Sequence, residues 1–108
     1  MNPYIYTFIR NDLPHAQKIV QLGHATYEAG QKFEKPSEIA SLVLLHANNE
    51  DDLLCIATEL EEKGIEFVMF YETDTNEYTS ICTRPTTGRE RNFFKRFNLY
   101  KEPNSYMF

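Results

Sequence analysis

Arg10-Asn11-Asp12-Leu13-Pro14-His15-Ala16-Gln17-Lys18-Ile19-Val20-Gln21-Leu22-Gly23-His24-Ala25 is the stretch on which the fold of this chain turns, because it converts a strand into a helix. Just before it, Tyr4 to Arg10 (YIYTFIR) is rich in aromatic and β-branched residues and reads as a strand. Asp12 stands where an N-terminal cap belongs, and Pro14 suits a first turn whose N–H needs no partner. The helix is expected from about Pro14 to Ala29, with Gly30 as its stop. Ala16, Ile19, Val20, Gly23 and Tyr27 recur at spacings of three and four, which predicts its packing face. Gly23 is costly in mid-helix, and its expected use is close approach to a sheet. Gln17, Gln21, His24 and Glu28 form a second, polar row. A strand-to-helix junction so dense in usable side chains lies where open α/β sheets hold ligands, outside the carboxyl ends of their strands.

Working outward, Gln31 to Glu38 is a charged connector containing Pro36, and Ser41 to Ala47 (SLVLLHA) is an apolar run typical of a covered strand. Asn49 caps a second helix, Glu50 to Lys63. Its first turn is acidic (Glu50, Asp51, Asp52) and its apolar stripe is Leu53, Ile56, Ala57 and Leu60, with Gly64 as the stop. Ile65 to Tyr71 and Tyr78 to Thr83 are strands joined by the polar turn Glu72 to Glu77, and Pro85 ends the second of them. Thr86 or Thr87 caps a short helix, about Gly88 to Phe97, with Phe93, Phe94 and Phe97 on its apolar side. From Asn98 the chain reads as a tail. The order β-α-β-α-β-β-α predicts an α/β fold: a mixed sheet of about four strands, helices on both faces, the last strand antiparallel to its neighbour.

With 108 residues, 42% hydrophobic and 14% aromatic, one packed domain spanning residues 1–108 is expected. The net charge of -5 argues against a general nucleic-acid coat. Six of the eleven basic residues, however, are Arg84, Arg89, Arg91, Lys95, Arg96 and Lys101, which reads either as a solvated helix or as a basic face for phosphates. Cys55 and Cys82 read as small buried hydrophobes, and the absence of a CxxC argues against zinc and against a disulfide scaffold. His15, His24 and Asp74 have no ligand spacing, so neither a metal nor a cofactor is expected. The start, Met1-Asn2-Pro3-Tyr4, has no signal-like pattern, and no apolar stretch reaches spanning length, so a cytoplasmic protein with no membrane contact is expected.

Two short motifs, Arg10-Asn11-Asp12-Leu13 and Gln21-Leu22-Gly23-His24-Ala25, together with the element order over about residues 4 to 101, carry a family resemblance. The chain resembles the type II peptidyl-tRNA hydrolases, and most closely their short-loop bacterial and viral relatives. The resemblance implies a three-layer α/β/α sandwich, and hydrolysis of the ester joining a peptide or N-blocked amino acid to tRNA. It also implies tRNA as a partner and a homodimer. The family's Gly-Lys-Gly-Lys segment is Pro14-His15-Ala16-Gln17 here, so its second lysine falls on Gln17, with Lys18 about 100° further around the helix. The family's Asp-Ala-Gly-Arg-Thr-Gln becomes Glu72-Thr73-Asp74-Thr75-Asn76-Glu77, which keeps the carboxylate and shortens the loop. On this reading Glu72 holds or deprotonates the water, His15 or Lys18 stabilises the oxyanion, and Thr79 orients either. Arg10, Asp12, Gln17, Gln21, His24, Asp74, Arg84, Arg89, Arg91 and Lys95 are the expected substrate-binding residues. Taken without the resemblance, Glu72 is a turn carboxylate, His24 a core histidine and Lys18 a solvated helix residue. The rival expectation is a non-catalytic tRNA-, nucleotide- or protein-binding module on the same fold.

Overall fold

A computed structural model describes residues 2–101. Strand β1 is Tyr4–Arg10, helix α1 His15–Lys32, β2 Ser41–Ala47, α2 Glu50–Glu62, β3 Phe67–Glu72 and β4 Glu77–Thr83. A 3-10 turn, Gly88–Glu90, runs into the one-turn helix α3, Arg91–Phe94. The sheet order is β2-β1-β4-β3. β1 runs parallel to β2, while β4 is antiparallel to both β1 and β3. The chain is thus an α/β sandwich on a four-stranded mixed sheet, as its element order predicts.

Each strand alternates between two cores. Tyr6, Phe8, Leu45, Ala47 and Ile81 pack with Leu53, Ile56, Ala57 and Leu60 of α2 and with Phe94. Ala25 and Ala29 of α1 pack on Cys82, with Ile5, Val68, Phe70 and Phe33 around them. α2 forms for local reasons. The Asn49 side chain accepts the Asp52 amide at 2.9 Å. At the other end Gly64, at φ 72, lets the Gly64 and Ile65 amides reach the Glu61 and Leu60 carbonyls. That closure uses Ile65, so β3 begins at Phe67 rather than at the expected Ile65.

Several expectations are overturned. α1 continues through Gly30 to Lys32. Its N-terminal cap position is Pro14, without a side-chain bond, because Asp12 is taken by Arg10. The expected packing face of α1 points outward: Ile19 is 61% exposed, Val20 51% and Tyr27 69%. Gln21, Ala25 and Ala29 face the sheet instead. Gly23 is not a point of close approach, since a Cβ built there meets nothing within 4 Å. α3 ends at Phe94, short of Phe97. Cys55 is exposed and only Cys82 is buried.

The segment from Asn98 is not a loose tail as far as Tyr100. The His46 amide donates to the Asn98 carbonyl and the Tyr100 amide to the Leu44 carbonyl, each at 3.0 Å. This strap covers the β2 edge, which would otherwise present unpaired backbone groups. Residues 102–108 lie outside the described residues.

Candidate active site

At the end of the sheet where β1 and β3 finish and β4 begins, one buried amide organises the surroundings. Gln21 is 1% exposed. Its Oε1 accepts the Thr79 hydroxyl at 2.9 Å. Its Nε2 donates to Glu72 at 2.8 Å and to Gln17 Oε1 at 3.3 Å. Its carbonyl oxygen accepts the Ser80 hydroxyl at 2.8 Å. Every polar atom of the Gln21 side chain is engaged, which is what makes its burial affordable.

The sheet supplies these partners through an irregularity. Phe70 pairs with Ser80 and Tyr71 with Tyr78, so Thr79 has no partner of its own on β3. Such an extra residue re-aims its side chain, and here the consecutive Thr79 and Ser80 both turn toward α1. The result is a relay: Thr79 fixes the amide, and the amide fixes Glu72 at the last position of β3. Glu72 is half-buried, and the Asp74 amide approaches its second oxygen at 3.4 Å. The Gln21 donor first, then the Asp74 amide and the nearby His24, hold the Glu72 carboxyl below the usual carboxylate range. His24 itself is exposed and stacks on Phe70, with ring centroids 4.3 Å apart and planes 2° apart. It is a surface ring at the rim, not the core histidine that its residue type suggests.

The other expected residues separate into distinct places. Arg10, 5% exposed, grips Asp12 with two bonds of 2.9 and 2.8 Å. It also donates to Glu77 at 3.2 Å and to the Tyr78 carbonyl at 3.1 Å. The pairing raises the Arg10 pKa and lowers that of Asp12, and it ties the β1–α1 loop to the start of β4. All of that side chain's reach goes into holding this corner together. Lys18 lies on the opposite flank of α1 from Gln17. Its Nζ donates to Asn11 at 3.3 Å and to the Tyr100 hydroxyl at 2.8 Å, beside β2, whereas Glu72 ends β3 at the far edge of the sheet. His15 is exposed as the first residue of α1, and Asp74 is exposed in the β3–β4 turn.

Arg84, Arg89 and Arg91 are remote. β4 begins at Glu77 beside the Gln21 relay and carries Arg84 past its other end, roughly 20 Å away at strand rise. Arg84 is held there by Glu90 at 3.0 and 2.6 Å and by the Pro85 and Gly64 carbonyls. Arg91 lies over the Tyr4 ring, 3.6 Å from its centroid. Arg96, which the basic count included, is paired with Glu59. Arg89 and Lys95 are exposed on the same side. Sequence reading missed Ser80, Asn11 and Tyr100 as partners of the site helix, and nothing in their local context signals them.

Among the described residues no three His, Cys, Asp or Glu side chains are grouped to hold a metal ion, and no helix is long and apolar enough to cross a membrane. Burial pushes the Cys82 thiol up to about 12, far from any nucleophilic role.

No protein-family model and no curated protein matches this chain. A solved structure is similar in fold: a protein of unknown function, Atu0240 from Agrobacterium tumefaciens strain C58. It has a TM-score of 0.65 and 14% identity, and the match covers 94% of this chain and 99% of that one. At that identity the likeness defines the fold alone.

Proposed function

We propose that this protein is peptidyl-tRNA hydrolase-like and cleaves the ester between a peptide, or an N-blocked amino acid, and tRNA. The observation that carries the reading is the Thr79–Gln21–Glu72 relay, which presents an oriented, ionised carboxylate beside α1 at the end of β3. A water bonded to Glu72 attacks the ester carbonyl carbon. The bond from that carbon to the ribose oxygen breaks, and the proton of the water ends on the ribose hydroxyl. Glu72, with its lowered pKa, is better suited to orienting this water than to holding its proton. Gln21 and Thr79 are positioning residues, since both are buried. The Gln17 amide and His15, on the first turn of α1, serve as donors for the oxyanion on this reading.

One observation favours a second reading, a non-catalytic tRNA-, nucleotide- or protein-binding module. The lysine nearest in sequence to the family position, Lys18, is engaged by Asn11 and Tyr100 on the other flank of α1. Release of free tRNA from N-blocked aminoacyl-tRNA separates the two readings. The hydrolase reading expects release, and expects Glu72→Ala to abolish it with an unchanged circular dichroism spectrum. No release at high protein concentration, with tRNA still retarded in a gel, rejects the enzyme and keeps the binder. Because Arg89 follows β4 beyond Arg84, at the end of the sheet away from Glu72, changing it to Ala should weaken tRNA retention without altering the rate of release at saturation.

A further inference from the structure

The two edges of the sheet differ. The β2 edge is covered by the strap from Asn98 to Tyr100, whereas no segment among the described residues pairs with the outer edge of β3. The Arg84 amide donates to the Glu66 carbonyl at 3.0 Å, so Glu66, Val68 and Phe70 turn their backbone groups toward β4. The N–H and C=O groups of Phe67, Met69 and Tyr71 therefore point outward, and among the described residues nothing bonds to them. The open row is about 20 Å long at strand rise. Its sequence, FVMFYE, holds no Lys and no Pro, the residues that commonly blunt an edge. What flanks the row defines its partner. Glu50, Leu54, Ala57 and Glu61 share one row of α2. Glu50 accepts the Tyr78 amide at 2.8 Å, which turns that row toward β4 and β3. Leu54 is 39% exposed and Tyr71 42%, so an apolar shelf lies beside the open groups. The charge around it is of one sign. From Glu50 to Glu77 there are ten Asp and Glu against the single Lys63. Glu66 precedes the strand, Glu72 and Asp74 follow along its far end, and Glu28 lies in the α1 row whose His24 stacks on Phe70. Arg84 comes within 3.9 Å of Glu66, yet its guanidinium is committed to Glu90.

We propose that the β3 edge takes up an extended, basic segment of another protein as a fifth strand. The backbone of that segment bonds to Phe67, Met69 and Tyr71, which supplies affinity without regard to its sequence. Its apolar side chains rest on the Leu54 and Tyr71 shelf, and its Lys or Arg side chains reach Glu61, Glu66, Glu72 and Asp74, which supplies the selection. A second copy of this chain does not fit the site, because it would set two acid-flanked edges side by side. The proposal is independent of whether the relay hydrolyses anything.

Titration of the full chain with a capped peptide of alternating Lys and Val, as long as β3 and followed by amide NMR and hydrogen exchange, tests it. The amides of Phe67, Met69 and Tyr71, open in the free chain, should exchange at least tenfold more slowly with peptide bound, while those of Val68 and Phe70, already bonded to β4, change little. A peptide of alternating Glu and Val should bind at least tenfold more weakly, and added salt should narrow the gap. Met69→Pro removes one outward donor and no ladder bond. It should weaken binding at least tenfold with an unchanged circular dichroism spectrum. If that variant does not fold, the Lys-Val peptide N-methylated at every Val, or at every Lys, reads the same bonds from the other side, and one of the two should lose binding. No slowing at Phe67, Met69 and Tyr71 at saturating peptide overturns the proposal. So does equal binding of the Glu-Val peptide, or a folded Met69→Pro chain that binds as before, or two N-methylated peptides that both bind as before. Protection of the same three amides that grows with protein concentration alone would seat a second copy on the edge and overturn it too.

Discussion

Gln21 is the residue on which the site depends. It is a full-length polar side chain in a position that geometry reserves for the core, and it is tolerated because three partners, Gln17, Glu72 and Thr79, answer it. Replacing it by glutamate keeps the shape and reverses one donor. The new carboxylate would face Glu72, and burial beside a like charge raises its pKa. In the native chain the folded pKa of Glu72 is lowered, so its contribution is present above the unfolded carboxylate value of ~4.3 and is lost as acid titrates it. A raised carboxylate works in the opposite sense. Gln21→Glu should therefore be less stable than the native chain at pH 7, with the deficit narrowing toward pH 5. Urea melts at the two pH values check this, and a deficit that stays constant would mean that Glu72 and the new group do not interact. Gln17→Lys is the complementary probe. It places a lysine on the Glu72 flank, where Lys18 does not reach, and on the proposed hydrolase reading should raise any hydrolytic rate.

At the level of elements, α1 serves three surfaces at once. Its inward row packs on β4 and β3, its outward row is apolar and exposed, and one flank is tied by Lys18 to the strap from Asn98 to Tyr100. The strap is held by two backbone bonds and the Tyr100 hydroxyl. Tyr100→Phe should cost about 0.5–1.5 kcal/mol, the net worth of one hydrogen bond. Its effect should be local: amide exchange at His46 and Tyr100 quickens while the amides of β1 keep their protection. Uniform acceleration across the sheet would show instead that the strap is part of the cooperative core. The outward row of α1 also shows why amphipathic reading misjudged this helix. Periodicity identifies an apolar row correctly but says nothing about what covers it.

For the whole molecule, the side carrying α2 holds the larger core. Phe94 stacks on Tyr6 with centroids 3.8 Å apart and planes 7° apart, and Phe97 meets Phe8 edge-on at 5.0 Å. Phe94→Ala removes a buried ring from the middle of this cluster and should cost about 3–5 kcal/mol, a large share of the stability of a domain this size. Denaturant melts read the loss directly. The α1 side is built from Ala25, Ala29 and Cys82, small residues that bring the helix close and leave its ends free for polar contacts. The division puts a firm core on one face and the site on the other.

Element types and order were legible in the amino-acid sequence because their causes are local. The Asn49 cap, the Gly64 closure, the acidic start of α2 and the aromatic strand Tyr4 to Arg10 act within a few residues of themselves. Arg10-Asn11-Asp12-Leu13 likewise closes β1, and Gln21 to Ala25 lie on α1, as the strand-to-helix reading has it. What only the tertiary structure decided was which way α1 is turned and which charges meet. Thr79 and Ser80, which draw Gln21 inward, are 58 and 59 residues away along the chain. The antiparallel course of β4 carries Arg84 away from Glu72, although only the turn and that one strand separate them in sequence. Both depend on contacts between distant segments, which local propensity and charge counting do not contain.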